Sequence, residues 1–335
     1  MKKIRYCIGI IFMAGMSAFF ACSKNSGTTP DPGPSPAPSV FQGIRIYIVS
    51  AGDIHEYSRN LAGLATLVKN MRDTASNVYF VLAGDFLMVH HSYDVYRCNG
   101  IKDRQVVPDL KVPDDSNRRF DGLAEARLVE YLNFDAIVPG NHDWTYGKGL
   151  LQRGGLKAKL IACNVAEPSG MTRDYLTFTS VRGKYSLNII GITDTNNIHS
   201  LAGEVVRVYP LTTSTSLAKI KAALASADIN ILLTHLLKAE DASAFSEFRN
   251  ARGEALFDAL CGGHTHESFA NITAGAAYVK AGLYSTYAGL TCLWWDTVKL
   301  VVVKKSASLV CLEDISRDPG TKALIDSLHR VYPHY

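Results

Sequence analysis

The chain has 335 residues and a formal charge of +4. Lys2, Lys3 and Arg5 carry three of those charges, so the rest is near neutral and no specific nucleic-acid partner is implied. Apolar residues make up 47% and charged residues 20%, a globular balance with enough chain for one large α/β core.

Residues 1–21 read as an export signal. A basic start precedes the apolar stretch Ile8 to Phe20, which is shorter than the ~20 residues of a membrane span. Phe19-Phe20-Ala21-Cys22 has the form of a bacterial lipoprotein cleavage box. The alternatives are a plain secretory signal or an uncleaved anchor. Residues 22–39 form a tether in which Pro30, Pro32, Pro34, Pro36 and Pro38 alternate, a density that favours an extended spacer. The expected organisation is signal 1–21, tether 22–39 and folded domain 40–335. A lipidated Cys22 would attach that domain to a membrane of the bacterial cell envelope, periplasmic or surface-exposed. Oligomeric state is open.

Within the domain, β-branched runs alternate with helical patterns, the mark of stacked sheets with helices outside. Strands are predicted at Ile44–Ser50, Val78–Ala83, Ala136–Pro139, Leu160–Cys163, Leu187–Thr193, Ile229–Thr234, Ala277–Ala281, Thr291–Trp295 and Val298–Val303. Helices are predicted around Leu61 to Met71, Leu123 to Leu132, Leu217 to Leu224 and Ala255 to Leu260. A last helix starts at Asp318-Pro319, a capping carboxylate followed by proline. Met88 to Phe120 is polar, without periodicity, and long enough to be a functional loop. Cys163, Cys261 and Cys292 read as small buried hydrophobes. One disulfide is possible, with no pair assignable.

Five motifs sit at or after the ends of apolar strand-like runs, where α/β folds collect reactive groups. They are Gly52-Asp53-Ile54-His55, Ala83-Gly84-Asp85, Gly140-Asn141-His142-Asp143, Thr234-His235 and Gly262-Gly263-His264-Thr265-His266. Each alone is weak: Gly-Asp is an ordinary turn, and a lone histidine is more often a satisfied one. Together they supply carboxylate, imidazole and amide oxygen, a donor set for borderline-to-hard divalent cations. Two cations need a bridging anionic oxygen, which a carboxylate at a strand end can provide.

The order of these motifs resembles the calcineurin-like metallophosphoesterase superfamily, over roughly Ile44 to Asp296. Leu160-Ile-Ala-Cys-Asn164-Val and Gly282-Leu-Tyr … Ala288-Gly289 resemble the catalytic domain of its 5′-nucleotidase branch. The resemblance implies a four-layer α/β/β/α sandwich of two mixed sheets flanked by helices. It implies one divalent ion (Zn, Mn, Fe or Co) on Asp53, His55 and His266, and a second on Asn141, His235 and His264. Asp85 would bridge them, and His142 would face the scissile phosphate without ligating. The implied activity is hydrolysis of a small phosphorylated substrate, a phosphomonoester or phosphodiester, by a metal-bridging hydroxide, with His142 and Asp85 as the catalytic pair. A nucleotide-sugar pyrophosphohydrolase and a non-catalytic ligand-binding lipoprotein are the alternatives.

Three features depart from the branch. Thr145 stands where an aspartate orients the catalytic histidine. Glu56 replaces a glycine after Asp-x-His. The nucleotide-binding domain that follows in true 5′-nucleotidases is not expected here, and the pocket is expected from loops of this domain, chiefly Met88 to Phe120. His90, His91, Tyr93, Tyr96, Arg97, Arg104, Arg118 and Arg119 lie in that loop; an arginine there can clamp phosphate and a tyrosine stack a base, the alternative being surface groups of the loop. Trp294 and Trp295 read as core and sheet residues rather than a substrate platform.

Overall fold

The computed structural model describes residues 43–55, 60–87, 95–96, 102–103, 123–144, 148–152, 155–166, 171–181, 183–194, 198–199 and 205–331. The export signal, the tether with Cys22, Glu56, Thr145 and the named histidines and arginines of 88–120 lie outside the described residues. So does Tyr93, while Tyr96 is described in its backbone alone.

In chain order the elements are β1 (Gly43–Ala51), α1 (Leu61–Thr74), β2 (Val78–Ala83), the small pair β3 (Val95–Tyr96) and β4 (Lys102–Asp103), α2 (Leu123–Leu132), β5 (Ala136–Val138) and α3 (Lys148–Leu151). Then come β6 (Tyr175–Thr179), β7 (Ser186–Ile192), the small pair β8 (Ile198–His199) and β9 (Val205–Val206), α4 (Ser214–Leu224), β10 (Ile229–Thr234), α5 (Lys238–Glu247) and β11 (Ala259–Gly262). The chain continues through β12 (Ser268–Thr273), β13 (Ala276–Ala281), β14 (Tyr287–Asp296), β15 (Val301–Cys311) and α6 (Pro319–Val331).

The first large sheet has strand order β15-β14-β1-β2-β5, and the second β12-β13-β11-β10-β7-β6. Both are mixed. β1, β2 and β5 run parallel, as do β7, β10, β11 and β13, while outer strands join antiparallel. Alternation along the strands divides the core in three. Ile46, Ile48, Val81 and Ala83 meet Ile189, Ile231, Leu233 and Cys261 between the sheets. Val49, Phe80 and Leu82 face α1, α2 and α6 through Leu64, Leu128 and Ile325. Ile190, Leu232 and Leu260 face α4 and α5 through Ile220 and Phe245. That is the four-layer α/β/β/α sandwich. All six residues of β2 and of β10 are buried, as strands covered on both faces must be.

Several expectations need correcting. Ala255–Leu260 is not helical: its second half begins β11, paired parallel to β10 on one side and β13 on the other. Phe257, Ala259, Leu260 and Cys261 are all buried, and so short an apolar run fills a central strand better than a helix. Leu160–Cys163 makes only single bridges, Leu160 to Ile137 and Ile161 to Arg173. The strand expected at Val298–Val303 starts later, because the chain turns at 297–300 before β15, which then runs to Cys311. Trp295 is buried and its indole N–H donates to Lys184 O at 3.1 Å, while Trp294 lies under Lys304 Nζ at 4.8 Å. Cys163, Cys261 and Cys292 are free and buried, and Cys311 is disulfide-bonded.

Candidate metal centre

The strand ends carry the motifs into one place. Asp53 and His55 follow β1, Asp85 follows β2, Asn141 and His142 follow β5, His235 follows β10, and His264 and His266 follow β11. All eight sequence-predicted site residues converge. His55 Nε2 lies 3.1 Å from His266 Nε2. His235 Nε2 lies 3.2 Å from His264 Nδ1, 3.2 Å from Asn141 Oδ1 and 3.2 Å from Asp85 Oδ2. Asp53 Oδ1 stands 3.9 Å from His55 Nε2 and 3.8 Å from His266 Nε2. Three overlapping donor groups result: Asp53, His55 and His266; His55, Asp85 and His142; Asp85, His235 and His264. Asp53, His55, Asp85 and His235 are buried, whereas Asn141, His142, His264 and His266 are half-buried. The centre thus has a buried floor and an open mouth.

The backbone is bent to hold these groups. Asp53 (φ 48°), His55 (φ 48°), Asp85 (φ 52°), His264 (φ 75°) and His266 (φ 58°) all occupy the left-handed region, which costs a non-glycine residue energy unless its surroundings impose it. The glycines beside them allow close approach. A Cβ on Gly84 would strike the His235 ring, and one on Gly140 the Asp85 carboxylate. Further bonds hold the turns. His264 N–H donates to Asp53 Oδ1 at 2.9 Å, and His142 N–H to Asp85 Oδ1 at 2.9 Å. Ala83 O can only accept, so the bond to His235 Nδ1 at 2.8 Å places the proton on Nδ1 and turns Nε2 into the centre.

Asp143 does not orient His142. Its buried carboxylate accepts from Asp85 N at 2.9 Å, Gly140 N at 2.7 Å and Leu87 N at 3.0 Å, clamping the two loops of the first sheet. The His142 ring instead packs edge-on against His55, with centroids 5.2 Å apart, and its Nε2 is 4.0 Å from Asp85 Oδ2.

The electrostatics suit cation binding. Burial pushes His55 down to about 3, and burial with the His235 charge pushes His264 down to about 4. Burial also lowers His266. These imidazoles therefore present lone pairs at neutral pH. Burial would lower His235 as well, but Asp85 overcomes it and pushes His235 up to about 10. Burial likewise would raise Asp85, but His235, with His55 and His142, holds it below the usual carboxylate range. Burial pushes Asp53 up to about 7 despite the pull of His235. Donors that share one ion at ~2.1 Å stand ~3.0–3.5 Å apart, the spacing of the closest pairs here. Mixed nitrogen and oxygen donors of this kind fit divalent transition ions.

Two nearby groups escaped the sequence reading. Asp194, after β7, is buried and its charge reaches His264. Lys280 is buried in β13, and its ammonium meets the carbonyl beside each second-sheet histidine turn. A lone lysine inside the apolar run Ala276–Ala281 was the available signal for it.

The arrangement is a candidate divalent-metal centre at the parallel strand ends of a two-sheet sandwich. The chain belongs to the calcineurin-like phosphoesterase family, whose match spans residues 46–268. Among solved structures the chain is similar to a 5′-nucleotidase precursor from Thermus thermophilus, with 18% identity, TM-score 0.61, 86% of this chain and 59% of that one. It is also similar to the calcineurin-like phosphoesterase YfkN from Bacillus subtilis, with 19% identity, TM-score 0.61, 86% of this chain and 98% of that one. A third relative in fold is the NAD nucleotidase of Haemophilus influenzae, with 15% identity, TM-score 0.60, 86% of this chain and 60% of that one. The chain thus spans about three fifths of the two nucleotidases. No curated protein matches the chain significantly.

Proposed function

We propose that this protein hydrolyses small phosphate mono- or diesters outside the cytoplasm with two divalent ions. One ion is held by Asp53, His55 and His266, the other by Asn141, His235 and His264, with Asp85 shared. The observation that carries this reading is the place of Asp85. Its Oδ2 stands 3.2 Å from His235 Nε2 and 3.8 Å from His55 Nε2, between the two donor groups. Bound there, two divalent ions would neutralise phosphate oxygens and acidify a water toward neutrality.

The remaining work falls to the chain. The buried floor keeps water from the ligating side of the donors, while the half-buried mouth admits the ester. His142 stands at that mouth, positioned by its backbone bond to Asp85 and by the His55 ring. From there its imidazole can donate a proton to the departing oxygen. Export and attachment through Cys22 are supported by the basic-then-apolar N-terminus, the Phe-Phe-Ala-Cys box and the disulfide at Cys311, a bond of oxidising compartments.

The test is turnover of p-nitrophenyl phosphate and bis-p-nitrophenyl phosphate with Mn2+ or Zn2+, with bound metal counted. AMP and NAD join the panel because two relatives in fold carry nucleotidase names. Asp85→Asn should cost at least about 10³-fold in kcat, the loss of ~4 kcal/mol of charge stabilisation. His142→Ala should cost about 10²–10³-fold. Wild type that takes up no metal and turns over none of these esters with Mn2+ or Zn2+ present would discard the enzyme reading in favour of a binding lipoprotein.

A further inference from the structure

Beneath the centre lies a charged network that the proposed chemistry does not use. Lys280 and Asp241 are both buried, with side chains 1% and 0% exposed. Lys280 is on β13, in register with Gly262 of β11, and Asp241 is in the first turn of α5. The ammonium donates to Leu236 O at 2.9 Å and to Gly263 O at 2.7 Å, and meets Asp241 Oδ2 at 2.9 Å. Three donors meet three acceptors, so the group is saturated. Both Asp241 oxygens are also engaged: Oδ1 accepts from Thr234 Oγ1 at 2.8 Å and Oδ2 from Tyr278 OH at 2.8 Å.

The carbonyls chosen are informative. Leu236 immediately follows His235, and Gly263 immediately precedes His264. One ammonium therefore ties the β10 turn to the β11 turn at the point where each presents its imidazole. A fully buried ion pair is weak grounds for stability, because apolar residues of similar volume often serve as well. An apolar side chain cannot, however, hold two carbonyls a fixed distance apart. Asp241 has a second consequence: it neutralises a positive charge that would otherwise sit directly under a cation site.

We propose that Lys280, neutralised by Asp241, is a positioning residue that sets the spacing of His235 and His264 and thereby the affinity of the ion they share. The inference rests on the two-ion reading above. Lys280 touches neither substrate nor ion. Its effect falls on the His235–His264 ion more than on the Asp53–His55–His266 ion, whose carboxylate and first imidazole come from the other sheet.

The experiment titrates the metal-free full-length chain with Mn2+ and follows binding and thermal unfolding in parallel. Wild type should take up two equivalents. Lys280→Met should keep the wild-type far-UV spectrum and bind one of the two equivalents about 10–100-fold more weakly, the usual cost of losing a group that orients a ligand. Tyr278→Phe removes one bond to Asp241 without changing shape, and should weaken the same equivalent by a smaller factor. It decides the matter if Lys280→Met does not fold. Variants that unfold at lower temperature yet bind both equivalents as wild type does would overturn the role. Fewer than two equivalents in wild type would instead overturn the two-ion reading, and this inference with it.

Discussion

The two sheets support one centre by opposite means. The first delivers Asp53, His55, Asp85, Asn141 and His142, and its loops are tied by a buried anion, Asp143, which gathers three backbone N–H groups. The second delivers His235, His264 and His266, and its turns are tied by a buried cation, Lys280, which gathers two backbone carbonyls. In each case the side chain reads main chain rather than side chain, so the geometry it sets does not depend on which ligand residue stands above it. The two differ in compensation. Asp241 pairs with Lys280 at 2.9 Å, whereas Asp143 makes no direct ion pair, is held by backbone N–H groups with only a more distant His235 charge, and lies close to a second carboxylate. Burial and the charge of Asp85 push the Asp143 carboxyl up, against the three N–H groups and the His235 charge that favour the anion. Cations bound above would relieve the first sheet's excess negative charge.

The largest effect should follow from breaking the anionic clamp. Asp143→Ala leaves three buried N–H groups without an acceptor, each costing about 1–3 kcal/mol. A total near 3–5 kcal/mol is expected, the range for removing one partner of a buried charged network. Denaturant unfolding of the metal-free chain would measure it. A loss below about 1 kcal/mol would mean that the loops are held by packing alone, and the contrast between the sheets would lapse.

A second effect separates His55 of the first sheet from His235 of the second. His55 is held neutral, so it has no proton to lose at pH 7, while His235 lies at about 10 and Asp53 at about 7. Ligation requires the deprotonated forms. The folded, metal-free centre should therefore release protons when Mn2+ binds at pH 7. Because the raised groups must give up a proton, apparent affinity rises with pH, by up to about tenfold per pH unit for each proton displaced. Calorimetry in buffers of different ionisation heat reads the count. Binding with no proton release would exclude His235 as a ligand.

These two clamps also mark where sequence reasoning ended. The candidate ligands were legible because each motif follows a buried apolar run and four of the five motifs contain a glycine, so strand ends and donor types coincided on the chain. The clamps are long-range. Asp143 looked like a neighbour of His142 and gave no hint that it reaches Asp85 N and Leu87 N. Lys280 pairs with Asp241 on α5, a helix whose sequence KAEDASAFSE carries only three buried positions and so shows little periodicity. The half-exposed strands β6 and β12 also lack the apolar run that marked β2 and β10. Ala255–Leu260 failed for a different reason: a short apolar run does not distinguish helix from buried strand until its neighbours are known.

The smallest effect comes from the same device placed at the surface. Asp318 Oδ1 accepts from Thr321 N at 2.8 Å and Thr321 Oγ1 at 2.9 Å, capping α6 at the outer layer. The bond to Thr321 N lowers the Asp318 carboxyl from its usual range, so the cap is at full strength above about pH 4 and fades as pH falls through the lowered value. Asp318 is half-buried, so water can replace its carboxylate, as it cannot replace Asp143. Asp318→Ala should therefore cost about 1 kcal/mol, the usual worth of an N-cap, and leave Mn2+ stoichiometry untouched. The comparison between Asp143 and Asp318 isolates burial, since both are carboxylates that accept backbone N–H groups. Equal losses at the two positions would show that burial adds nothing to the clamp under Asp85, and that its three bonds are worth no more than one at the surface.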